Sequence, residues 1–241
     1  MLDYDREAAG YDASRGGEAR AVAAAGAVER LLPEDTRVLL DVACGTGIVT
    51  RRLTRPGRRV VGVDRSQGMA AVASTRLSGA VALGDGARLP VGSARADAVV
   101  VVWLLHLLDD AAPVLAEAAR VLRAGGVLIT TVDKNQAAFA VDSDVAAVTA
   151  AVRSAYVPKG PDHVDRVVAS AAGHGLRVVG ETTFAGIGQG RSPRQWRERI
   201  LEGRIPWARA ADPARIADEL ASLPDQEVAR PDPLYRLIAL A

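Results

Sequence analysis

The feature that most constrains the fold of this chain is an apolar run that ends in an acid and is followed at once by glycines. Residues 38–42 are apolar apart from Asp41 and show no alternation, which predicts a strand buried on both faces of a parallel sheet. Gly45 and Gly47 then allow a sharp turn with no side chain between the backbone and a ligand. Residues from Ile48 onward can begin a helix, so the segment predicts a cradle for a nucleotide-like ligand.

The details of this loop distinguish between nucleotides. A dinucleotide fingerprint has its last glycine at the position that holds Thr50 here. Asp41 lies just before the loop, and an ionised carboxylate beside a diphosphate is repulsive. The loop therefore favours a ligand with a positive or N–H-bearing group. On this loop alone, a different doubly wound α/β protein with a glycine-rich turn stays open as the alternative.

Two further apolar runs end in acids. The first ends in Asp64, about 20 residues after the glycine loop, where a ribose-binding carboxylate is expected. Ser66 then suits the N-cap of a helix over residues 67–77. The second run ends in Asp85. Because open α/β sheets bind ligands at the carboxyl ends of their strands, we expect Asp41, Asp64 and Asp85 at one ligand-binding edge.

The order and spacing of these motifs resemble the class I S-adenosylmethionine (SAM)-dependent methyltransferases, over about residues 4–135. The resemblance is to the small-molecule enzymes of bacterial secondary metabolism and, more loosely, of quinone biosynthesis. It implies a doubly wound α/β fold with a mostly parallel seven-stranded sheet and a small helical cap. It also implies SAM as cofactor and methyl transfer to an O or N atom of a small molecule. A SAM-binding cyclase or regulatory protein and an NAD-dependent oxidoreductase are the alternatives.

The resemblance also implies a set of cofactor contacts. In the family, the acid placed like Asp64 accepts hydrogen bonds from the ribose hydroxyls, and the acid placed like Asp85 accepts from the adenine amino group. Met69 packs on adenine or, alternatively, in the core. Arg15 binds the cofactor carboxylate and Tyr11 closes over its methionine end, with surface exposure as the alternative. The residues expected at the cofactor are Tyr11, Arg15, Asp41, Ala43, Cys44, Gly45, Thr46, Gly47, Asp64, Arg65, Met69, Asp85, Gly86, Ala87 and Trp103.

One histidine lies where a base would be useful. His106 follows the fourth predicted strand, and an imidazole titrates near neutrality, so His106 is the candidate catalytic residue, with packing as the alternative. Methyl transfer from a sulfonium mainly requires alignment, so a neutral amine acceptor needs less help from a base. Trp103 shields the cofactor or joins the core. Asp109 and Asp110 are interpreted as helix N-cap residues, and no metal site is expected.

The chain is predicted to be one methyltransferase domain over residues 1–241, with an N-terminal lid over residues 1–32 and a cap insertion over residues 134–160. Gly125 and Gly126 are expected to end the helix before the fifth strand. Helices are predicted over residues 19–32, 67–77, 110–123, 144–156, 161–173, 193–201 and 213–223, and strands over 38–42, 59–64, 81–85, 96–103, 127–132, 176–184 and 234–240.

Composition excludes several classes of partner. The net charge of +1 gives no reason to expect a nucleic acid, and a single cysteine excludes an intramolecular disulfide. No signal peptide or membrane-length apolar run is recognised, so a cytoplasmic protein with a small-molecule acceptor and no membrane partner is expected, with a homodimer left open. The later aromatic residues would line an acceptor pocket or pack ordinarily; they are Phe139, Tyr156, Phe184, Trp196 and Trp207.

Overall fold

The computed structural model describes residues 3–156 and 160–241. They form two compact units, one containing the sheet and one built of helices. The α-helices are α1 (Tyr4–Glu7), α2 (Tyr11–Ser14), α3 (Gly17–Leu31), α4 (Gln67–Arg76), α5 (Ala112–Val121), α6 (Asp144–Ala155), α7 (Val164–Ala172), α8 (Pro193–Leu201), α9 (Pro206–Arg209) and α10 (Pro213–Ala221). The strands are β1 (Val38–Val42), β2 (Arg59–Asp64), β3 (Val81–Leu83), β4 (Ala96–Val101), β5 (Leu122–Val132), β6 (Val178–Ala185) and β7 (Leu234–Leu240).

The strands form one seven-stranded sheet in the order β3-β2-β1-β4-β5-β7-β6. The pairs from β3 to β5 are parallel, and β7 runs antiparallel to β5 with Val132 opposite Arg236. The order reverses at β1, which lies between β2 and β4, and open sheets bind ligands at such a switch point. The predicted doubly wound, mostly parallel sheet is therefore confirmed.

The core of the first unit lies between the sheet and its flanking helices. Val99 and Leu128 on β4 and β5 are fully buried, and they belong to the same apolar cluster as Leu115 and Ala118 on α5. Pro113 lies in the first turn of α5, where a missing N–H costs no helical hydrogen bond. Burial of these strands on both faces explains why their sequences are continuously apolar rather than alternating.

The second unit comprises residues 135–156 and 186–234 of the described chain. Trp196 and Trp207 are buried there beside Phe139, with ring centroids 5.2 and 5.9 Å from that of Phe139. The Arg153 guanidinium lies 4.0 Å from the Phe139 ring centre. These aromatic residues therefore form the core of the helical unit, as the packing alternative expects. The division of the chain into a lid, a cap and one domain stays a prediction.

Two expected elements differ from the structure. The helix expected from Ile48 is only a 3-10 turn over Thr50–Leu53, because the chain becomes extended at Thr54 just before Pro56. The helix expected to end at the glycine pair ends instead at Val121, and that pair lies inside β5, where the register with β4 shifts. Among the described residues, no helix combines the length and apolar character that a membrane span requires.

Candidate cofactor site

The loop after β1 leaves open space above its backbone. Ala43, Gly45 and Gly47 all have positive φ angles, of 58°, 57° and 73°. A Cβ added to Gly45 would meet no atom within 4 Å, so a ligand has room there. A Cβ on Gly47 would lie 3.2 Å from both Cα and Cβ of Ala73, so that glycine serves the close packing of the loop on α4.

Asp64 connects the end of β2 to this loop. Its Oδ2 accepts a hydrogen bond of 2.8 Å from the Gly45 N–H, and its Oδ1 accepts one of 2.9 Å from the Ser66 N–H. Ser66 in turn caps α4, because its Oγ accepts from the Met69 N–H. Each carboxylate oxygen has two lone pairs, so Asp64 retains acceptor capacity for a ligand hydroxyl.

Asp41 is the most deeply buried of the three acids. It is 4% exposed, and the Thr50 hydroxyl donates a hydrogen bond of 2.5 Å to its Oδ2. Burial raises the pKa of Asp41 to about 7, against the opposing effect of the Thr50 hydrogen bond, and the nearby charge of Asp64 raises it further. In the sequence, Thr50 was notable only because it replaces the last glycine of a dinucleotide fingerprint. The structure shows that it is also the hydrogen-bond partner of Asp41.

Asp85 lies on the next strand end and is exposed. Its Oδ1 accepts a hydrogen bond of 2.9 Å from the Ala87 N–H, which closes a local turn after β3. Gly86 follows, and a Cβ there would lie 3.1 Å from Cγ1 of Val42. Because β3, β2 and β1 are neighbouring parallel strands, the three acids follow or end these strands at the same edge.

Two expected contact residues lie inside the protein. Met69 is 1% exposed, so its side chain packs in the core, and contact with adenine stays a prediction. Cys44 packs with Ala73 and Leu77, and burial raises the pKa of its thiol, which suits a packing role more than a reactive one. Arg65, by contrast, is exposed.

The N-terminal segment contains an acid that sequence reasoning missed. Asp5 Oδ1 accepts hydrogen bonds of 2.6 Å from Ser66 Oγ and 2.8 Å from the Gly68 N–H. These bonds hold the pKa of Asp5 below its usual value. A Cβ on Gly68 would lie 2.8 Å from the Asp5 carbonyl oxygen, so the glycine permits α1 to lie directly on the first turn of α4.

A second missed acid connects α2 to the glycine loop. Asp12 Oδ1 accepts a hydrogen bond of 2.6 Å from Thr46 Oγ1, and its Oδ2 pairs with Arg76 Nη1 at 2.7 Å. The same Arg76 nitrogen donates to the Thr46 carbonyl at 3.0 Å. The partners of Asp12 lie far along the chain, so the sequence around Asp12 does not reveal these contacts. Its one local indication is that it directly follows Tyr11, an expected cofactor residue.

Tyr11 and Arg15 lie close to each other and to Tyr4. The Arg15 guanidinium carbon is 5.4 Å from the Tyr11 ring centre, and the Tyr4 and Tyr11 ring centroids are 6.1 Å apart. Burial raises the pKa of Tyr4, and the charges of Arg15, Arg65 and Asp64 also act on it, so this cluster lies near the acid of β2. Binding of the cofactor carboxylate by Arg15 stays a prediction.

Trp103 follows β4 with a strained backbone. Its φ is 60°, which a tryptophan rarely adopts, and its N–H donates a hydrogen bond of 2.8 Å to Thr131 Oγ1. Its ring packs edge-on against Phe184 and Tyr235, with centroid separations of 5.6 and 5.5 Å. The Arg20 guanidinium covers the ring from one face.

His106 lies on a 3-10 turn, Leu105–Leu107, beyond this residue. Burial lowers the pKa of His106 to about 3, and the positive charge of Lys134 lowers it further. A neutral imidazole with so low a pKa accepts a proton poorly, so this environment opposes a general-base role, which stays a prediction. Within the described ranges, no group of three or more His, Cys, Asp or Glu is placed to hold a metal ion.

Comparison with known proteins identifies the domain. Residues 40–130 match the family model described as a methyltransferase domain. Over this segment, which is less than half of the chain, the sequence is similar to the class I SAM-dependent methyltransferases. A relative, the demethylmenaquinone methyltransferase of Corynebacterium kroppenstedtii, is 39% identical over 100 residues, which cover 42% of this chain and 43% of that protein. The match thus spans less than half of that curated relative.

Solved structures extend the likeness to the whole methyltransferase fold. A SAM-dependent methyltransferase of Thermotoga maritima superposes with a TM-score of 0.57 and 18% identity, covering 98% of this chain and 97% of that one. The cyclase SpnF superposes with a TM-score of 0.55 and 21% identity, covering 90% of this chain and 79% of that one. Both show the fold alone. The cofactor of the family is SAM, and the residues at the sheet edge fit it, since the loop is open at Gly45 and Asp64 retains acceptor capacity.

Proposed function

We propose that this chain transfers a methyl group from SAM to an O or N atom of a small molecule. The single observation that carries the proposal is the open glycine loop of the methyltransferase domain, hydrogen-bonded through the Gly45 N–H to Asp64 at 2.8 Å. When bound, SAM supplies a methyl group already activated by its sulfonium. The protein then has to hold the cofactor, align the acceptor and exclude water.

Each side chain at the edge has a part in this proposal. Asp64 accepts hydrogen bonds from the ribose hydroxyls, and Asp85 accepts from the adenine amino group. The loop from Ala43 to Gly47 lies under the methionine portion, where Gly45 leaves space. Tyr11 and Arg15 close over that portion, and the hydrogen bonds of Asp12 hold their short helix against the loop. This arrangement excludes water from the cofactor.

A small acceptor and a cytoplasmic setting in bacterial metabolism complete the proposal. The net charge is close to zero, so the protein has no overall positive potential that would attract a polyanion, and this favours a small-molecule acceptor. The basic residues are almost all arginine, which is typical of a GC-rich bacterial genome. The relative named above acts on a quinone precursor by its name, so quinone-like acceptors belong in the test.

Calorimetric titration of the purified chain with SAM, S-adenosylhomocysteine and NAD tests the cofactor. We expect both adenosyl compounds to bind and NAD not to bind. Asp64→Asn removes a charged acceptor, and loss of such a hydrogen bond costs roughly 2 kcal/mol, so SAM should bind about 30-fold more weakly. Asp35→Asn, an exposed acid in the turn before β1, is the matched control and should bind SAM like the wild type.

Formation of S-adenosylhomocysteine then tests the transfer itself. Candidate phenols, amines and quinols are incubated with SAM, and the demethylated product is quantified. Tight SAM binding with no product from any acceptor would favour a non-methylating member of the fold. Binding of NAD in place of SAM would overturn the assignment.

A further inference from the structure

Arg20 carries a charge into the interior of the first unit. The residue is 8% exposed, and its guanidinium carbon lies 3.9 Å from the centre of the Trp103 ring. Within residues 3–156 and 160–241, its guanidinium makes no hydrogen bond and no carboxylate lies at ion-pair distance. Desolvating a cation costs more than stacking on an aromatic ring returns, so a buried guanidinium normally has an anionic partner.

Trp103 presents a second unsatisfied donor beside it. Its indole Nε1–H is buried and finds no acceptor in the described part of the chain. A guanidinium and an indole N–H are both donors only. Because the guanidinium lies on the Trp103 ring itself, one carboxylate can accept from both groups. A buried indole N–H without an acceptor, next to a guanidinium that has no ion pair, therefore points to a ligand that supplies an acceptor.

Trp103 follows a different strand from the three acids of the sheet edge. The acids lie on β3, β2 and β1, whereas Trp103 follows β4 and is held to Thr131 of β5 by its backbone N–H. Phe184 and Tyr235, on β6 and β7, surround the indole with aromatic edges. The half of the edge beyond β1 thus combines positive charge and hydrogen-bond donors with buried aromatic packing.

We propose that Arg20 and the Trp103 indole N–H bind the carboxylate of the methyl acceptor. This proposal rests on the proposed function, because it identifies the chemical class of the acceptor. An ammonium group would bring only donors to a site of donors, and an alcohol would bring an acceptor without the negative charge. A carboxylate brings two acceptor oxygens and the charge that the guanidinium lacks.

Benzoate is the probe for this site, and benzamide is its uncharged counterpart. The chain has three tryptophans, so a nitrogen–proton correlation spectrum shows three indole N–H signals, and Trp103→Phe identifies the one that matters. We expect benzoate to move the Trp103 signal downfield, as a new hydrogen bond does, and benzamide to leave it unchanged. Spectra are recorded with and without S-adenosylhomocysteine, so that failure to bind the cofactor is seen separately.

Variants then assign the effect to the guanidinium. Arg20→Met keeps the bulk and removes the charge, and loss of a charge-assisted hydrogen bond should weaken benzoate binding about tenfold or more. Arg30→Met, on the exposed part of the same helix, is the matched control and should bind benzoate like the wild type. Should Arg20→Met fail to fold, calorimetry on Trp103→Phe provides the same comparison, with weaker benzoate binding expected.

Three results would overturn the proposal. The first is a Trp103 signal that does not respond to benzoate, and the second is an equal response to benzamide. The third is an Arg20→Met chain that loses affinity for S-adenosylhomocysteine but not for benzoate, because Arg20 would then bind the carboxylate of the cofactor. A chain that binds benzoate at Trp103 but binds no adenosyl compound would contradict the proposed function and leave the anion site standing.

Discussion

Replacement of Asp41 by Asn should change how the stability of the protein depends on pH. The pKa of this buried carboxyl is about 7 in the folded chain, against 3.8 for an ordinary aspartate. Below about pH 4 both the folded and the unfolded chain carry the proton. Between these values only the folded chain keeps it, so the contribution of Asp41 to stability is complete at low pH and is lost as pH rises through 7.

The magnitude follows from the width of that window. A proton held by one state and not the other changes the free energy of unfolding by about 1.4 kcal/mol per pH unit. Over a window of about three pH units the wild type should lose roughly 4 kcal/mol relative to a chain without this group, as an upper limit. Asp41→Asn does not titrate, and its amide oxygen still accepts from the Thr50 hydroxyl, so the variant should lack this loss.

Urea unfolding at a series of pH values measures the effect. The difference in unfolding free energy between wild type and Asp41→Asn should fall steadily from pH 4 to pH 7 and level off above it. Other groups, His106 among them, titrate in both chains and cancel in the difference. For Asp35→Asn, at an exposed position, the unfolding free energy should depend on pH in the same way as that of the wild type. Parallel curves for Asp41→Asn as well would show that the carboxyl is not held neutral by burial, and the reasoning would fail.

Two packing predictions accompany it. Gly62→Ala would place a Cβ 2.7 Å from the Cys44 sulfur, so it should destabilise the chain by about 1–3 kcal/mol in urea unfolding, and Cys44→Ala in the same chain should restore part of that loss. Glu29→Gln removes the charge that pairs with Arg58, whose side chain is fully buried, so it should cost about 2–3 kcal/mol. A Glu29→Gln chain as stable as the wild type in calorimetric melting would place the support of Arg58 elsewhere, for example on the Leu53 carbonyl.

The sequence was sufficient for features whose signals are local. Ser66 was predicted to cap the helix that follows it, and its Oγ does accept from the Met69 N–H. The acids Asp64 and Asp85 end or follow continuous apolar runs, which places them at strand ends in any parallel arrangement. Only a 3-10 turn follows the glycine loop, because the chain becomes extended at Thr54, just before Pro56.

Contacts between distant segments could not be predicted from the sequence. Asp12 and Arg76 are 64 residues apart, and only the docking of α2 on the loop brings them together. Arg20 lies in an alanine-rich helix and carries the charge expected of an exposed position, yet its side chain is buried because α3 packs where Trp103 lies. Periodicity tells which face of a helix is apolar, but it does not reveal an arginine that the fold covers.

The electrostatics of the two halves of the sheet edge bear on how an acceptor becomes nucleophilic. His106 is a poor base in this environment, since burial and Lys134 both oppose its protonation. Arg20 and the Trp103 indole offer donors, which hold an anion but take no proton. Under the two proposals the chain therefore suits an acceptor whose reacting atom is nucleophilic on arrival, such as an ionised oxygen or a neutral amine, and its turnover should not depend on His106 as a proton acceptor.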